Sequence, residues 1–346
     1  MDLRGLLLLT GWICLTLTAA GCQRAEELTF STSEAVQELP DPLRKAVEYQ
    51  LHEHTGTYRR PKMLGDPDMS LEHLKHGQAV YQRRCAQCHG VNGDGLGPAA
   101  AAMYPRPRDY RRGIFKFTST PYGSKPLRAD LVRTIKRGVR GTSMPSFRLL
   151  PPKDIDAVVD YVLMLTHRGE FEEQLAYAAE VDEEVDPDYV PDMIDTVLGS
   201  WERAARQEVR PLTPQPAFTA ENVIAGKQAF LSQGCSKCHG EDGRGQTRDN
   251  IGKDTWGHTT RAADLTSGML HGGTEPFDIY RRIYSGINGT PMPSFASAFR
   301  ENPDTIWDLV AYVLYVSNRR RAGELPPPGF AKPYVPEDER VDVVLD

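Results

Sequence analysis

Two copies of the motif Cys-x-x-Cys-His constrain this 346-residue chain more than any other feature. The copies are Cys85–His89 and Cys235–His239. Such a pentapeptide is the attachment site of a c-type haem, where two thiols form thioethers with one porphyrin and the histidine can ligate the iron. The sequence therefore predicts two covalently bound haem c groups. The attachment cysteines are Cys85, Cys88, Cys235 and Cys238.

Two other uses of paired cysteines remain open at this point. A zinc site could use all four thiolates, but ribbon-type sites keep their halves about 15–20 residues apart. Here 147 positions separate Cys88 from Cys235. A thioredoxin-like redox pair needs a βαβ context, whereas the flanking residues read as helix and loop. The histidine after each pair favours haem over both alternatives.

The first residues of the chain predict export. One positive side chain in Met1–Arg4 precedes an apolar stretch, Leu6–Leu17, that has the length of a signal-peptide core and is too short to span a bilayer. Thr18–Gly21 before Cys22 resembles the lipobox of bacterial lipoproteins. We therefore expect residues 1–21 to be a signal peptide and Cys22 to be lipidated, on the periplasmic side of a bacterial membrane. The alternative is a plain secretory signal and a soluble periplasmic protein.

Hydropathy and charge restrict the classes of partner that the sequence predicts. No later segment reaches 18 uninterrupted apolar residues, so we expect membrane attachment through lipid alone. The formal net charge is −6, and the sequence has no basic stripe. We therefore expect no nucleic-acid partner.

An internal repeat divides the chain. Each half contains a glycine and an aromatic residue on a first helix, then the haem motif, then a Gly-Thr-x-Met-Pro-Ser-Phe segment and an apolar closing helix. The offset between copies stays at 148–151 residues. Apolar spacing predicts helices at Leu71–Arg84, with Ser70 as N-cap, at about Lys153–Thr166, and at about Pro303–Asn318.

One methionine in each repeat is a candidate sixth ligand of iron. Met144 and Met292 lie 55 and 53 residues after His89 and His239, in identical Met-Pro-Ser-Phe segments. A thioether ligand favours ferrous iron and raises the reduction potential. A lone methionine is usually core, but its repetition at matching spacing favours ligation. The predicted axial pairs are His89 with Met144 and His239 with Met292.

With these motifs, each repeat resembles a class I cytochrome c domain, over residues 70–168 and 218–321. The resemblance implies a mainly α fold of two tandem domains, each with a few helices wrapped around one covalently bound haem. It further implies that Gly77 and Gly226 let the closing helices cross closely, at Tyr161 and Tyr312. In that family a proline carbonyl accepts a hydrogen bond from the ligating imidazole. The expected residues near the haems are Pro98 in this carbonyl role and Arg108 and Trp256 as propionate partners.

The remaining segments read as connections. Residues 22–69 are predicted to be a polar spacer with one helix near Pro42–His54. Residues 169–217 are predicted to be an acidic helical linker, with helices near Phe171–Val181 and Asp192–Gln207. A linker of this length usually packs on a domain. Residues 322–346 form a Pro-rich acidic tail that we expect to be extended.

A haem with both axial positions filled by protein has no open site for substrate and can only exchange electrons. The sequence therefore predicts an electron carrier between respiratory complexes, or from a periplasmic oxidoreductase to a terminal oxidase, with redox proteins as partners. Two alternatives remain. One is a dihaem enzyme of the peroxidase or thiosulfate-oxidising type, and the other is a fixed electron-transfer subunit of a membrane complex.

Overall fold

The computed structural model describes residues 28–318 apart from Gln246. The predicted signal peptide, Cys22 and the tail from residue 322 lie outside the described residues. The described part is mainly helical, which confirms the predicted fold class. Its α-helices are α1 Glu34–Gln37, α2 Asp41–Thr55, α3 Leu71–Arg84, α4 Ala86–His89, α5 Arg128–Arg137, α6 Pro152–Val181, α7 Val190–Ala205, α8 Ala220–Ser232, α9 Cys235–His239, α10 Pro276–Ser285 and α11 Asp304–Asn318. Two short antiparallel strands are β1 Ile251–Lys253 and β2 Thr259–Arg261.

Crossed helices form the centre of domain 1. Helix α3 begins at Leu71, as predicted, and Ser70 Oγ accepts the backbone N–H of His73 at 3.0 Å. Where α3 meets α6, a Cβ atom added to Gly77 would come 2.1 Å from the carbonyl oxygen of Ala157 and 2.9 Å from Cβ of Tyr161. The glycine is therefore needed for the close approach, which confirms its predicted role.

Domain 2 repeats this crossing with α8 and α11. A Cβ atom on Gly226 would come 1.9 Å from the carbonyl oxygen of Asp308 and 2.9 Å from Cβ of Tyr312. Phe230 packs against Tyr312 with ring centroids 5.1 Å apart, and Trp307 is fully buried in the same core, with its ring 4.6 Å from that of Tyr280. Each repeat therefore folds around its own helix crossing and has its own hydrophobic core.

Helix α6 differs from the sequence prediction. The closing helix of domain 1 was expected to end near Thr166 and a separate helix to cover Phe171–Val181, but one helix of 30 residues runs through both. The proposed domain boundary at residue 168 falls inside it. Within this helix, Gly169 allows the backbone to approach Arg111 closely. A Cβ atom at this position would come 2.4 Å from Cβ of Arg111. This glycine permits close packing and does not end the helix.

The second half of α6 is the centre of a third cluster. Helices α1, α2 and α7 pack on it, and the cluster buries Val47, Leu51, Phe171, Leu175 and Val197. The helices of the predicted spacer and of the acidic linker therefore form one packed layer, and Trp201 of the linker packs against the core of domain 1, which confirms the expectation that the linker packs on a domain. None of the helices in the described ranges combines the length and the apolar character needed to cross a membrane.

The two haem-motif domains contact each other directly. Arg282, on α10, donates to the carbonyl oxygens of Lys116, at 3.2 Å, and of Thr118. Arg137, on α5, forms an ion pair with Asp278 at 2.9 Å. The sequence predicted neither α5 nor α10, and these two helices carry charged contacts between the domains.

Candidate functional site

The first motif forms a short helix, α4, directly after α3. His89 is largely buried, and its Nδ1 atom donates a hydrogen bond to the backbone carbonyl of Arg108 at 3.1 Å. Because a carbonyl only accepts, this bond fixes the proton on Nδ1 and leaves Nε2 with a free lone pair. Burial lowers the pKa of His89, although the hydrogen bond to Arg108 opposes that shift. The ring is therefore held in the neutral form that ligates a metal.

The second motif has the same arrangement. His239 lies at the end of α9, and its Nδ1 atom donates to the backbone carbonyl of Ala263 at 3.0 Å. Burial again lowers the pKa of this histidine, although the hydrogen bond that it donates to the Ala263 carbonyl opposes that shift. Both repeats thus present one ring nitrogen to a cofactor and anchor the other on the backbone.

The expectation that Pro98 accepts the histidine proton is wrong. The chain after the first motif turns back over α4, and the Gly97 N–H donates to the carbonyl of Cys88 at 3.2 Å. Pro98 follows at the exposed side of this turn. The acceptor comes ten residues later, at Arg108, through its backbone rather than its side chain. A sequence signal existed, because Arg108 and Ala263 both precede an aspartate in the aligned repeats.

Met144 lies on a loop that enters the same cavity as the first motif. A cavity of about 210 Å³ is lined by Cys85, Cys88, His89 and Met144 together. Thr142 fixes the loop: the Met144 N–H donates to its Oγ1 atom at 3.2 Å, and that hydroxyl donates to the carbonyl of Val139 at 2.8 Å. The predicted site residues of domain 1 are therefore brought together.

The methionine loop of domain 2 has the same hydrogen bonds. The Met292 N–H donates to Thr290 Oγ1 at 3.3 Å, and that hydroxyl donates to the carbonyl of Ile287 at 2.8 Å. Sequence analysis overlooked both threonines, although each stands two residues before its methionine. The two methionine loops have different surroundings but the same two hydrogen bonds. We therefore infer that the threonine fixes the backbone of the methionine in each domain.

The wall of the first cavity is apolar and aromatic. The ring of Tyr110 lies 4.9 Å from the ring of His89, and its hydroxyl is 3.1 Å from that of Tyr81. Phe115 and Leu131 also line the cavity. These residues offer an apolar surface to a large aromatic ligand, and the lining also contains charged side chains, among them Arg108 and Lys116.

The motif cysteines do not have the environment of a zinc site or a reactive thiol pair. Among the described residues, none of the four forms a disulfide. Burial raises the pKa of the Cys85 thiol to about 12 and that of the Cys235 thiol to about 11. Reactive and metal-binding thiols have lowered pKa values instead. Within the described ranges, no cluster of three or more possible metal ligands includes a motif cysteine.

Domain 2 contributes to the surroundings of the first cavity. His271, from the loop before α10, is one of its lining residues. Burial, and then the charge of Lys116, lower the pKa of His271. The guanidinium of Arg108 lies 3.9 Å from the centre of the Trp256 ring, and the buried Trp256 Nε1 atom has no hydrogen-bond partner among the residues that the structure describes. The two predicted propionate partners therefore meet each other across the domain interface, and of these two only Arg108 lines the cavity.

Comparison with known proteins identifies the family of this chain. Residues 72–162 match the family described as cytochrome c oxidase, cbb3-type, subunit III, and residues 223–317 match the family described as cytochrome c. A solved chain of the Kuenenia stuttgartiensis reducing HAO-like protein complex Kustc0457/Kustc0458 is 32% identical, with a TM-score of 0.54, over 70% of this chain and 96% of that one. The chain belongs to the cytochrome c family. A search of curated proteins finds no significant match.

As a dihaem cytochrome c, the protein carries two covalently bound haem c groups, one in each domain. The residues of the cytochrome fit these groups. Each domain offers two unpaired thiols beside a buried neutral histidine, and the cavity of domain 1 joins them to an apolar wall and a methionine. The family and the two haems support electron transfer as the function of the cytochrome.

Proposed function

We propose that this dihaem cytochrome c is an electron carrier on the periplasmic side of a bacterial membrane. In this role it passes electrons between respiratory complexes, or from a periplasmic oxidoreductase to a terminal oxidase. The observation that carries the proposal is the cavity of domain 1, where Met144 and His89 line the same space. A haem enclosed by a protein ligand on each face exchanges electrons and binds no substrate.

The roles of the residues follow from this proposal. Cys85 and Cys88 hold the first haem and Cys235 and Cys238 the second, through thioethers. His89 and His239 give the proximal nitrogen. Met144 and Met292 give the sulfur, and the loop threonines keep the sulfur in place. The direct contacts between the domains support an electron relay from one haem to the other.

Anchoring of the cytochrome to the membrane through a lipidated Cys22 is part of the proposal. The support is the sequence of residues 1–22 alone. Mass spectrometry of the mature protein from membranes would test it: a diacylglycerol-modified N-terminal cysteine is expected. An unmodified N-terminus after a plain signal cleavage would favour the soluble periplasmic form.

A second candidate function is a fixed electron-transfer subunit of a larger assembly. The favouring observation is the similarity to a chain whose structure was solved within a protein complex, because the present chain covers 96% of it. Purification from native membranes, with the same detergent throughout, would distinguish a free carrier from a fixed subunit. A carrier is released alone, whereas a subunit co-purifies in constant ratio with the same partner chains.

A spectroscopic redox titration of the haem-loaded protein tests the central proposal. Two reversible one-electron steps at the raised potentials of His/Met haems are expected, together with the far-red absorption band of a methionine-ligated ferric haem. One step displaced far downward, with loss of that band, would indicate another sixth ligand. The dihaem enzyme would then be the better interpretation.

A further inference from the structure

Each methionine loop is closed at its base by its own domain. The two loops are residues 138–144 and 286–292, from the glycine after α5 or α10 to the methionine. The N–H of the second residue in each loop donates to the carbonyl of the methionine, at 3.1 Å in both domains. A Cβ atom added to Gly138 or Gly286 would come 2.5 Å from the carbonyl carbon of the proline that follows the methionine. The two ends of each loop are therefore fixed to each other.

The tip of the first methionine loop, in contrast, packs against domain 2. Arg140 donates a hydrogen bond from its guanidinium to Oγ1 of Thr274 at 3.2 Å. A Cβ atom added to the next residue, Gly141, would come 3.3 Å from Nε2 of His271, and its closest atoms beyond the adjacent residues all belong to domain 2. Both partners lie in the segment before α10. The loop that carries Met144 is therefore supported at its tip by the other domain.

The tip of the second methionine loop packs against domain 1. Asn288 is only 7% exposed. Its Oδ1 atom accepts the N–H of Gly123 at 2.9 Å, and its Nδ2 atom donates to the carbonyl of Ser124 at 3.4 Å. A Cβ atom added to Gly289 would come 3.1 Å from Cγ2 of Ile114. All these partners precede α5, so domain 1 supports the loop of domain 2 in turn.

The two contacts use equivalent positions of the repeat. Arg140 and Asn288 are 148 residues apart, and so are Gly141 and Gly289. Each pair of positions contacts the segment before the corresponding helix, α10 in one direction and α5 in the other. An interface between two like units that face each other uses the same patch on both of them. A chance contact at one loop would not recur at the same positions of the other.

The support that domain 2 gives to its own loop tip also depends on domain 1. Trp256 is the closest neighbour of Gly289, because an added Cβ atom would come 2.8 Å from Cζ3 of its ring. The guanidinium of Arg108, from domain 1, lies over that ring, 3.9 Å from its centre. A cation over a tryptophan ring is attracted to it and fixes its position. The tryptophan is therefore held between the methionine loop and domain 1.

We propose that each domain positions the methionine ligand of the other through the tip of its loop. Ile114 of domain 1 is a positioning residue for Met292, and His271 of domain 2 is one for Met144. This inference rests on the proposed ligation of both irons by methionine. A loop that is loose at its tip lets the sulfur leave the iron more often, and the raised potential depends on the sulfur. Contact between the domains therefore maintains the ligand set of both haems.

Titration of the reduced holoprotein with carbon monoxide measures how often each loop opens. Carbon monoxide binds only after the methionine has left the iron, so its apparent affinity is proportional to the open fraction. Proton NMR follows the two haems separately, through the ring-current-shifted methyl signal of each iron-bound methionine. Met292→Ala lacks one of these signals and so assigns both.

Ile114→Ala is the decisive variant, because Ile114 is not among the lining residues of the first cavity but contacts the loop of domain 2. We expect carbon monoxide to bind the haem of domain 2 about three- to tenfold more tightly, with the haem of domain 1 unchanged. Ile114→Val retains the Cγ2 methyl group and should stay close to the wild type. Leu149→Ala, at a 91% exposed position of domain 1, is the matched control and should leave the haem of domain 2 unchanged.

His271→Ala tests the opposite direction and should raise the affinity of the haem of domain 1 by a similar factor. The exposed His258 of domain 2 supplies its control, His258→Ala, which should leave that affinity unchanged. An unchanged haem of domain 2 in Ile114→Ala, or an effect confined to the haem of domain 1, would overturn the proposal, because each loop would then be held by its own domain. Absence of the methionine signals from the wild type would instead contradict the proposed ligation, and this inference with it.

Discussion

At the scale of single residues, each motif histidine uses its two ring nitrogens differently. Nδ1 of His89 and His239 is tied to a backbone carbonyl, and Nε2 is left for the iron. Such an outer hydrogen bond orients a ligating imidazole and raises its basicity. The motif predicted both histidines, but the acceptors could not be found reliably, because any residue type can offer a backbone carbonyl.

Replacement of Met292 by alanine removes the proposed sulfur ligand of one haem. We expect the potential of that haem to fall and the haem to bind carbon monoxide, while the other haem stays unchanged. A redox titration combined with carbon monoxide difference spectra measures both effects. Met269→Ala, at a 55% exposed methionine of the same domain, is the control. An unchanged pair of haems would show that the ligand assignment is wrong.

Replacement of Thr142 by valine keeps the side-chain shape and removes the hydroxyl beneath Met144. The N–H of Met144 loses its acceptor, and loss of such a bond costs about 1–2 kcal/mol. We expect the methionine band of the first haem to disappear at a lower temperature than in the wild type. Thr196→Val removes a hydroxyl that bonds within the exposed face of α7 and should leave the band unaffected. Equal melting of the band in both variants would contradict the role of Thr142.

At the scale of elements, the sequence predicted the crossing helices and also α2 and α7 of the connecting segments, but it missed α5, α10 and the continuity of α6. Helices α3 and α11 follow from apolar spacing, and α8 and the glycines at the crossings follow from the repeat. Helices α5 and α10 were missed because each has only ten residues between glycine and proline loops. The end of α6 was placed too early, because Gly169 reads as a breaker and its packing against Arg111 has no sequence signature.

Gly77→Ala tests the helix crossing of domain 1. The added methyl would overlap the backbone of Ala157, so one helix has to move. Overpacking of this kind costs about 1–3 kcal/mol, and we expect a lower midpoint of thermal unfolding for the holoprotein. Gly199→Ala, within α7, meets only the end of a flexible arginine and should be neutral or stabilising by up to about 1 kcal/mol. Similar midpoints for the two variants would contradict the crossing.

Helix α6 also makes stability depend on pH, through His167. Burial, and then the charge of Lys125, lower its pKa to about 4, and neither ring nitrogen has a hydrogen-bond partner in the described part of the chain. The unfolded chain, with an ordinary value near 6.5, binds the proton more readily. Stability is therefore full above pH 6.5 and falls by up to roughly 3 kcal/mol as the pH approaches 4.

Chemical denaturation of His167→Phe between pH 7 and pH 4 checks this expectation. The variant keeps the ring against Trp201, which lies 4.9 Å away, and removes the titrating group. Its stability should therefore decline less steeply over this range than that of the wild type. The neighbouring Glu170, whose pKa is raised by burial, is present in both proteins and cancels in the comparison. Parallel curves would assign the pH dependence to other groups.

At the scale of the whole molecule, Arg282 joins the two domains through the backbone of residues 116–118. We expect one cooperative calorimetric transition for the wild-type holoprotein. Arg282→Ala leaves these carbonyls without their donor and should split or broaden it. Arg300→Ala, at an exposed arginine of the same domain, should leave one transition. A single unchanged transition in both variants would show that other contacts hold the domains together.

Because α6 continues without a break through residue 168, the cytochrome cannot be cut there into two intact domains. A cut at residue 168 would sever one helix and separate the haem core of domain 1 from Phe171 and Leu175, which hold the layer of α1, α2 and α7. A cut after α7, in residues 206–217, would instead leave each hydrophobic core intact. The two repeats are therefore unequal modules. The second consists of the cytochrome c repeat alone, whereas the first cannot be separated from helices α1, α2 and α7, which pack on the second half of α6.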